Sequence, residues 1–226
     1  MLSSADNLCT KNSAPPPVHG LVLRNLGDAI LAKGEEGVDE ARQTYTRGIK
    51  LNVAVENAKG MPEQIKNDLL MRLGDLYGAL GELERCAENF KEALRALRAA
   101  VDCFDRCGMT HARAASLNRV GFANIAKGDF KAAMQDLEEV PPILVGNEHE
   151  EEILATCIYY QGICQGSMDD LDGAKASWDR AITLAMSCGH MDLVEEINSR
   201  RAMLEPEEDA VLAEGEEAQG DVFVGG

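Results

Sequence analysis

Aromatic residues are scarce in this chain: five Phe, four Tyr and one Trp among 226 residues. Sheet cores draw heavily on aromatic and β-branched side chains, so the scarcity points to helices built from Ala and Leu. Positive charge is short as well. Lys and Arg number 22 against 39 Asp and Glu, a net charge of −17. Affinity for nucleic acid comes mainly from cations that neutralise phosphates, so no nucleic-acid partner is expected. An anionic membrane surface is disfavoured for the same reason. No apolar run reaches the about 18 residues that a spanning helix needs, so no membrane insertion is expected either. The first twenty residues hold one Lys, one Asp and no Arg. They lack the basic stretch and apolar core of a secretory signal and make a poor transit peptide. The seven cysteines are odd in number and scattered through helical segments. They read as reduced thiols of a cytoplasmic, intracellular protein.

Signs of catalysis are lacking too. No glycine loop suited to phosphate appears. None of His19, His111, His149 and His190 stands beside a Ser or Cys in a nucleophile motif. Cys103, Cys107 and His111 are spaced as three ligands on one helix face, but Gly108 interrupts them and no fourth ligand follows. Glu148, Glu150, Glu151 and Glu152 suit the positive end of a helix dipole, and no loop of alternating oxygen ligands accompanies them. The expectation is a protein that is not an enzyme, with no metal and no cofactor.

What the chain does have is period. Apolar residues make up 45% of it, enough for a real core. Residues 1–18 pass through Ala14-Pro15-Pro16-Pro17 without periodicity and read as a flexible leader. Helical patterning fills the rest to residue 205. The stretch Glu205 to Gly226 carries eight acidic residues and no Lys or Arg, so 206–226 reads as an acidic disordered tail, dispensable for folding.

Within 19–205 one pattern recurs. Its anchors are Gly27, Gly74, Gly121 and Gly162, preceded by Leu26, Leu73, Val120 and Gln161, and further back by Leu23, Leu70, Leu117 and Ile158. A small residue follows: Ala41, Cys86, Ala133, Ala174. Four positions on stand Tyr45, Phe90, Leu137 and Trp178, and three beyond those Gly48, Ala93, Val140 and Ala181. Spacings of four and three lie on one helix stripe. The small residues let two helix backbones approach, and the large one fills the space opposite. Trp178 shares the large packing position of the other units and is expected in the core. Gly34, Gly81 and Gly128 sit where each helix should stop and reverse.

Large residue, Leu-Gly, aromatic, then a small-x3-large-x2-small run: this resembles the tetratricopeptide repeat, most closely at Leu70, Leu73, Gly74, Tyr77, Cys86, Phe90 and Ala93. The resemblance implies an all-α, right-handed solenoid of four helix hairpins, and Met191 to Glu205 forms a capping helix. The anchors are 47, 47 and 41 residues apart, longer than the family's repeat. Unit two is therefore expected to extend its second helix from Leu83 to about Cys107. Pro62 fits the start of that unit's first helix, and Asn147 with Glu150 reads as a capping pair opening unit four.

The resemblance also implies a groove lined by the first helices and a protein or peptide partner within it. Its candidate residues are Arg24, Asn25, Arg72, Asn118, Arg119, Phe122, Tyr159 and Ile163, with Asp28, Met71 and Asp75 among them. Members that clamp a terminal carboxylate carry Lys and Asn where Arg24 and Asp28 stand here, and Asp28 would repel that group. Two functions compete: an adaptor holding a partner segment, with acidic residues at one end and a large apolar residue at the other, or a structural subunit of a large assembly, ciliary or cytoskeletal ones included, docked through its long helices. One outcome tests the packing scheme. Gly74→Leu should destabilise by about 1–3 kcal/mol or more, because it forces a branched side chain into a close helix contact. Calorimetry that finds the melting temperature unchanged would place Gly74 elsewhere.

Overall fold

The computed structural model describes residues 2–11, 14–56, 61–145 and 150–204. Eleven α-helices and one 3-10 turn account for the regular structure of these residues, and no strand occurs among them. In order they are α1 (Leu2–Lys11), α2 (Pro16–Leu31), the 3-10 turn Glu35–Gly37, α3 (Val38–Glu56), α4 (Glu63–Cys86), α5 (Phe90–Arg106), α6 (Thr110–Lys127), α7 (Phe130–Glu138), α8 (Val140–Leu144), α9 (Glu151–Ser167), α10 (Leu171–Ser187) and α11 (Met191–Leu204). The hairpins are α2/α3, α4/α5, α6/α7 and α9/α10. Each second helix also packs on the first helix of the next unit, and the first helices of neighbouring units touch. That is a right-handed α-solenoid, closed by α11.

Inside each hairpin one glycine meets one large side chain. Gly27 faces the ring of Tyr45 and Gly162 the ring of Trp178. A Cβ on Gly81 would lie 2.6 Å from Leu97, and one on Gly121 2.7 Å from Leu137. All four large residues are buried, Trp178 as expected. The glycine of unit two is thus Gly81, not Gly74. Gly81 lies inside α4, in its last turns, rather than at a turn of the chain, which reverses at residues 87–89. Gly74 serves a second contact two turns away, where a Cβ would come 2.6 Å from the Phe104 ring. The sequence repeats Leu-Gly at 73–74 and again at 80–81, seven residues apart, so either pair fits the pattern.

With Gly81 as anchor the units fall into one frame. The small residue twelve positions on becomes Ala93, the large one Leu97 and the next small one Ala100, all buried. Unit one is two residues longer because of its 3-10 turn. The expected helix from Leu83 to Cys107 does not exist; α5 and α10 are each 17 residues long. The extra two turns of unit two lie instead at the start of α4, which has 24 residues against 17 in α9. Pro62 precedes that helix as its N-cap.

The N-terminal segment departs from expectation. The leader proposed over 1–18 contains α1, and α2 already begins at Pro16. Periodicity missed α1 because polar contacts hold it. The Asp6 carboxylate is nearly buried and lies 2.7 Å from His19 Nε2 and 2.9 Å from Arg47 Nη1, while Leu8 stays exposed. Asn147 of the expected capping pair, together with Glu148, His149 and the tail 206–226, lies outside the described residues. Glu150, at the N-cap position of α9, makes no side-chain capping bond.

The common frame exposes a strained position. Seven residues after each anchor the backbone turns left-handed: Gly34 (φ 111°), Glu88 (59°), Gly128 (83°) and Asp169 (67°). Two of these corners carry a side chain, where the left-handed conformation costs about 1–2 kcal/mol. Glu88→Gly should therefore raise stability by about 0.5–1 kcal/mol, the strain relieved less the entropy that glycine adds to the unfolded chain. Asp169→Gly should gain less, since Asp tolerates this region better. Urea midpoints of the two variants against the parent would read both changes.

Candidate partner-binding groove

The first helices α2, α4 and α6 turn one side to a common face. Along α4, residues three to four apart come to the surface there: Asp75, Gly78, Ala79, Glu82 and Cys86. The glycine and alanine leave room, and a hollow of about 760 Å³ opens above them. Leu31, Val38, Tyr45, Leu83 and Phe104 supply its apolar lining; Arg24, Asp28, Asp75, Glu82 and Arg119 supply its charges. A second hollow of about 460 Å³ adjoins it toward α9, lined by Arg85, Asn118, Phe122, Glu152, Ile153 and Tyr160. Glu82 and Arg119 belong to both.

Charge in the groove is matched pairwise within single helices. Arg24 pairs with Asp28 at 3.2 Å, Arg72 with Asp75 at 3.4 Å and Arg85 with Glu82 at 3.0 Å. Asp28 also accepts a hydrogen bond from the Tyr45 hydroxyl at 2.6 Å; burial first, then this carboxylate, pushes the Tyr45 phenol well above its usual range. Arg119 is exposed and has no ion pair among the described residues. The second hollow is aromatic in character. The rings of Phe122 and Tyr160 stack with centroids 5.0 Å apart and planes at 11°, and the Arg85 guanidinium lies 4.7 Å from the Phe122 centroid. Burial, aided by Glu196 and Glu82, pushes the Tyr160 phenol up to about 12, so it is neutral at physiological pH.

Several groove residues expected from the sequence stand elsewhere. Arg24, Arg119 and Phe122 line the hollows. Asn118 borders the second one but is nearly buried, and its carboxamide donates to the Ile153 carbonyl at 2.9 Å. It clips α6 to α9 rather than waiting for a peptide. Asn25 and Arg72 line neither hollow. Tyr159 and Ile163 are core residues, 1% and 6% exposed, packed with Leu193, Val194 and Ile197 of α11. The capping helix covers the last unit where the groove would continue. The Tyr159 hydroxyl donates to Glu196 at 2.7 Å and accepts from Arg200 at 3.1 Å. Sequence reasoning missed Tyr160, Glu82 and Arg85. Tyr160 follows Tyr159 directly, and counting from Gly162 selects the neighbour; Glu82 and Arg85 come into view once Gly81 is the anchor of unit two.

Three of the thiols are poor nucleophiles. Burial raises Cys107, and it pushes Cys157 up to about 12 and Cys164 up to about 11. No disulfide joins any of the seven cysteines. Gly108, with φ 71°, ends α5 between Cys107 and His111, and among the described residues no group of three or more His, Cys, Asp or Glu is placed to hold a metal. Nor is any described helix long and apolar enough to cross a membrane.

Residues 68–96 match the tetratricopeptide repeat family. The chain is also similar to the solved nearly identical TPR-like repeats of a Podosopora anserina protein described as a kinesin light chain. That alignment covers 82% of this chain and 85% of the other, with 16% identity and a TM-score of 0.62. A variant of the same repeats covers 84% and 85%, with 16% identity and a TM-score of 0.63. These likenesses show the fold. No curated protein is matched by the sequence.

The neighbouring tyrosines allow a paired test. Tyr159→Phe removes the hydroxyl that ties α9 to α11 and should cost about 1 kcal/mol. Tyr160→Phe, whose hydroxyl makes no hydrogen bond among those described, should change stability little. Equal losses in thermal melts of the two would contradict this assignment.

Proposed function

We propose that this solenoid of tetratricopeptide-like hairpins is a non-catalytic adaptor that holds a segment of a protein partner across the faces of α2, α4 and α6. The observation behind this reading is the pair of adjoining hollows that share Glu82 and Arg119. Concave sites with an apolar lining and a few charges are where proteins hold ligands. The first hollow suits a large apolar side chain. The second suits a planar one, laid against Phe122 and Tyr160 in place of Arg85 or beside it. Arg119 can pair a carboxylate between them. A broadly acidic segment is a poorer fit than the arginines suggested, because Arg24, Arg72 and Arg85 already face carboxylates on their own helices. Cysteines without disulfides suit a reducing, cytoplasmic setting.

The structural-subunit reading has its own observation. Met186 and Met191 flank the turn between α10 and α11 and are 60% and 52% exposed, a place where another subunit could cover them. Affinity capture followed by mass spectrometry separates the two readings. Arg119→Glu with Phe122→Ser should abolish capture of the partner while the chain stays folded, since an exposed charge contributes only about 0–1 kcal/mol and the Phe122–Tyr160 stack about 0.5–1.5 kcal/mol beyond its burial. If capture survives in that variant and is lost in Met186→Lys with Met191→Lys, the groove is not the site and the protein works as a docked subunit.

A further inference from the structure

The opposite side of α4 carries a different surface. There Tyr77, Leu80 and Glu84 form the floor of a furrow of about 520 Å³, bounded by α3 and α5. Ile49, Ala96 and Ala99 extend its apolar lining. Glu84 is buried and already neutralised: Arg42 Nε lies 2.6 Å from it and Asn89 donates to it at 2.8 Å. The rim carries Lys50 and Arg95, both exposed and without an ion pair among the described residues, against one exposed carboxylate, Glu92. Lys91 lies one turn from Arg95 on the same helix. Unmatched positive charge beside an apolar floor is unusual on a chain of net charge −17. The groove on the other side shows the contrast, since Arg24 and Arg85 there are matched within their own helices.

We propose that the furrow between α3 and α5 is a second binding site and that its occupant is the acidic C-terminal segment of the same chain, Glu205–Gly226. The segment has the complementary chemistry. It carries eight carboxylates and no Lys or Arg, and it places Val211-Leu212 and Val222-Phe223-Val224 among them. Carboxylates pair with Lys50 and Arg95 while the apolar residues cover the half-buried Tyr77, Leu80 and Ala99. The rest of the body is net acidic and repels this segment, so the local cations decide where it settles. Its 22 residues span up to about 70 Å when extended. This inference stands apart from the groove reading, because the furrow lies on the other face of α4.

Zero-length carbodiimide coupling of the full chain tests it. The reagent joins a Lys amine to a carboxylate with loss of water, so only touching pairs are recorded. Peptide mapping should find Lys50 and Lys91 joined to Glu214, Glu216, Glu217 or Asp221. In a dilute mixture of ¹⁴N- and ¹⁵N-labelled protein, both halves of each linked peptide should carry the same label. The yield should fall about five-fold or more in half-molar salt, where the screening length shrinks to a few ångströms, and similarly in Arg95→Glu, which keeps both lysines. Links spread evenly over Lys66, Lys127 and Lys131, links between differently labelled copies, or a yield indifferent to salt would each overturn the proposal. Should Arg95→Glu prove unstable, the salt series on the parent chain decides.

Discussion

Close contact between a glycine on one helix and a large side chain on its partner sets the geometry of every hairpin. Gly27 with Tyr45, Gly81 with Leu97, Gly121 with Leu137 and Gly162 with Trp178 repeat one arrangement with four different fillings. Removing a Cβ lets the helices approach, and the opposing side chain fills the gap so that no void remains. Hairpins built this way present similar flanks, so each second helix finds the same bed on the next first helix. The groove is a by-product of that stacking. It exists because first helices lie side by side and because Gly78 and Ala79 leave the α4 surface low between Asp75 and Glu82.

The all-α class, the four units and the cap were legible in the sequence because they rest on spacing, and spacing survives changes of residue type. The frame of unit two was not. Leu73-Gly74 and Leu80-Gly81 differ by seven residues, which is two helical turns, so a stripe drawn through either is equally apolar. What separates them is the corner, and there the chain places Glu88 where units one and three use glycine. Without a glycine at residue 88 nothing marked the turn, and Gly81 looked like one. α1 escaped for another reason: a nearly buried carboxylate ties it down, and charge pairs leave no periodic trace.

The groove was legible as a face but only partly as a set of residues. Arg24, Arg119 and Phe122 were found by counting from the anchors. Counting cannot show that a later helix lies over an earlier one, which is the fate of Tyr159 and Ile163 under α11. Nor does it reveal that an arginine has a carboxylate three or four residues away on its own helix and is spent on it. The chemistry of the face therefore differs from its composition: it is rich in arginine yet close to balanced, with Arg119 as the cation left over.

Glu82 and Arg119 belong to both hollows, and this links the two thermodynamically. A flexible side chain at an interface loses about 0.5–1.5 kcal/mol of rotamer freedom when it is immobilised. An occupant of either hollow that fixes Arg119 meets that loss once, and an occupant of the other then finds the side chain already ordered. A ligand bearing both anchoring groups would bind with more than the sum of its halves, without any movement of the helices. The wall between the hollows would thus act as a coupling element, and a groove built this way would discriminate a two-anchor segment from single-anchor competitors by cooperativity as well as by fit.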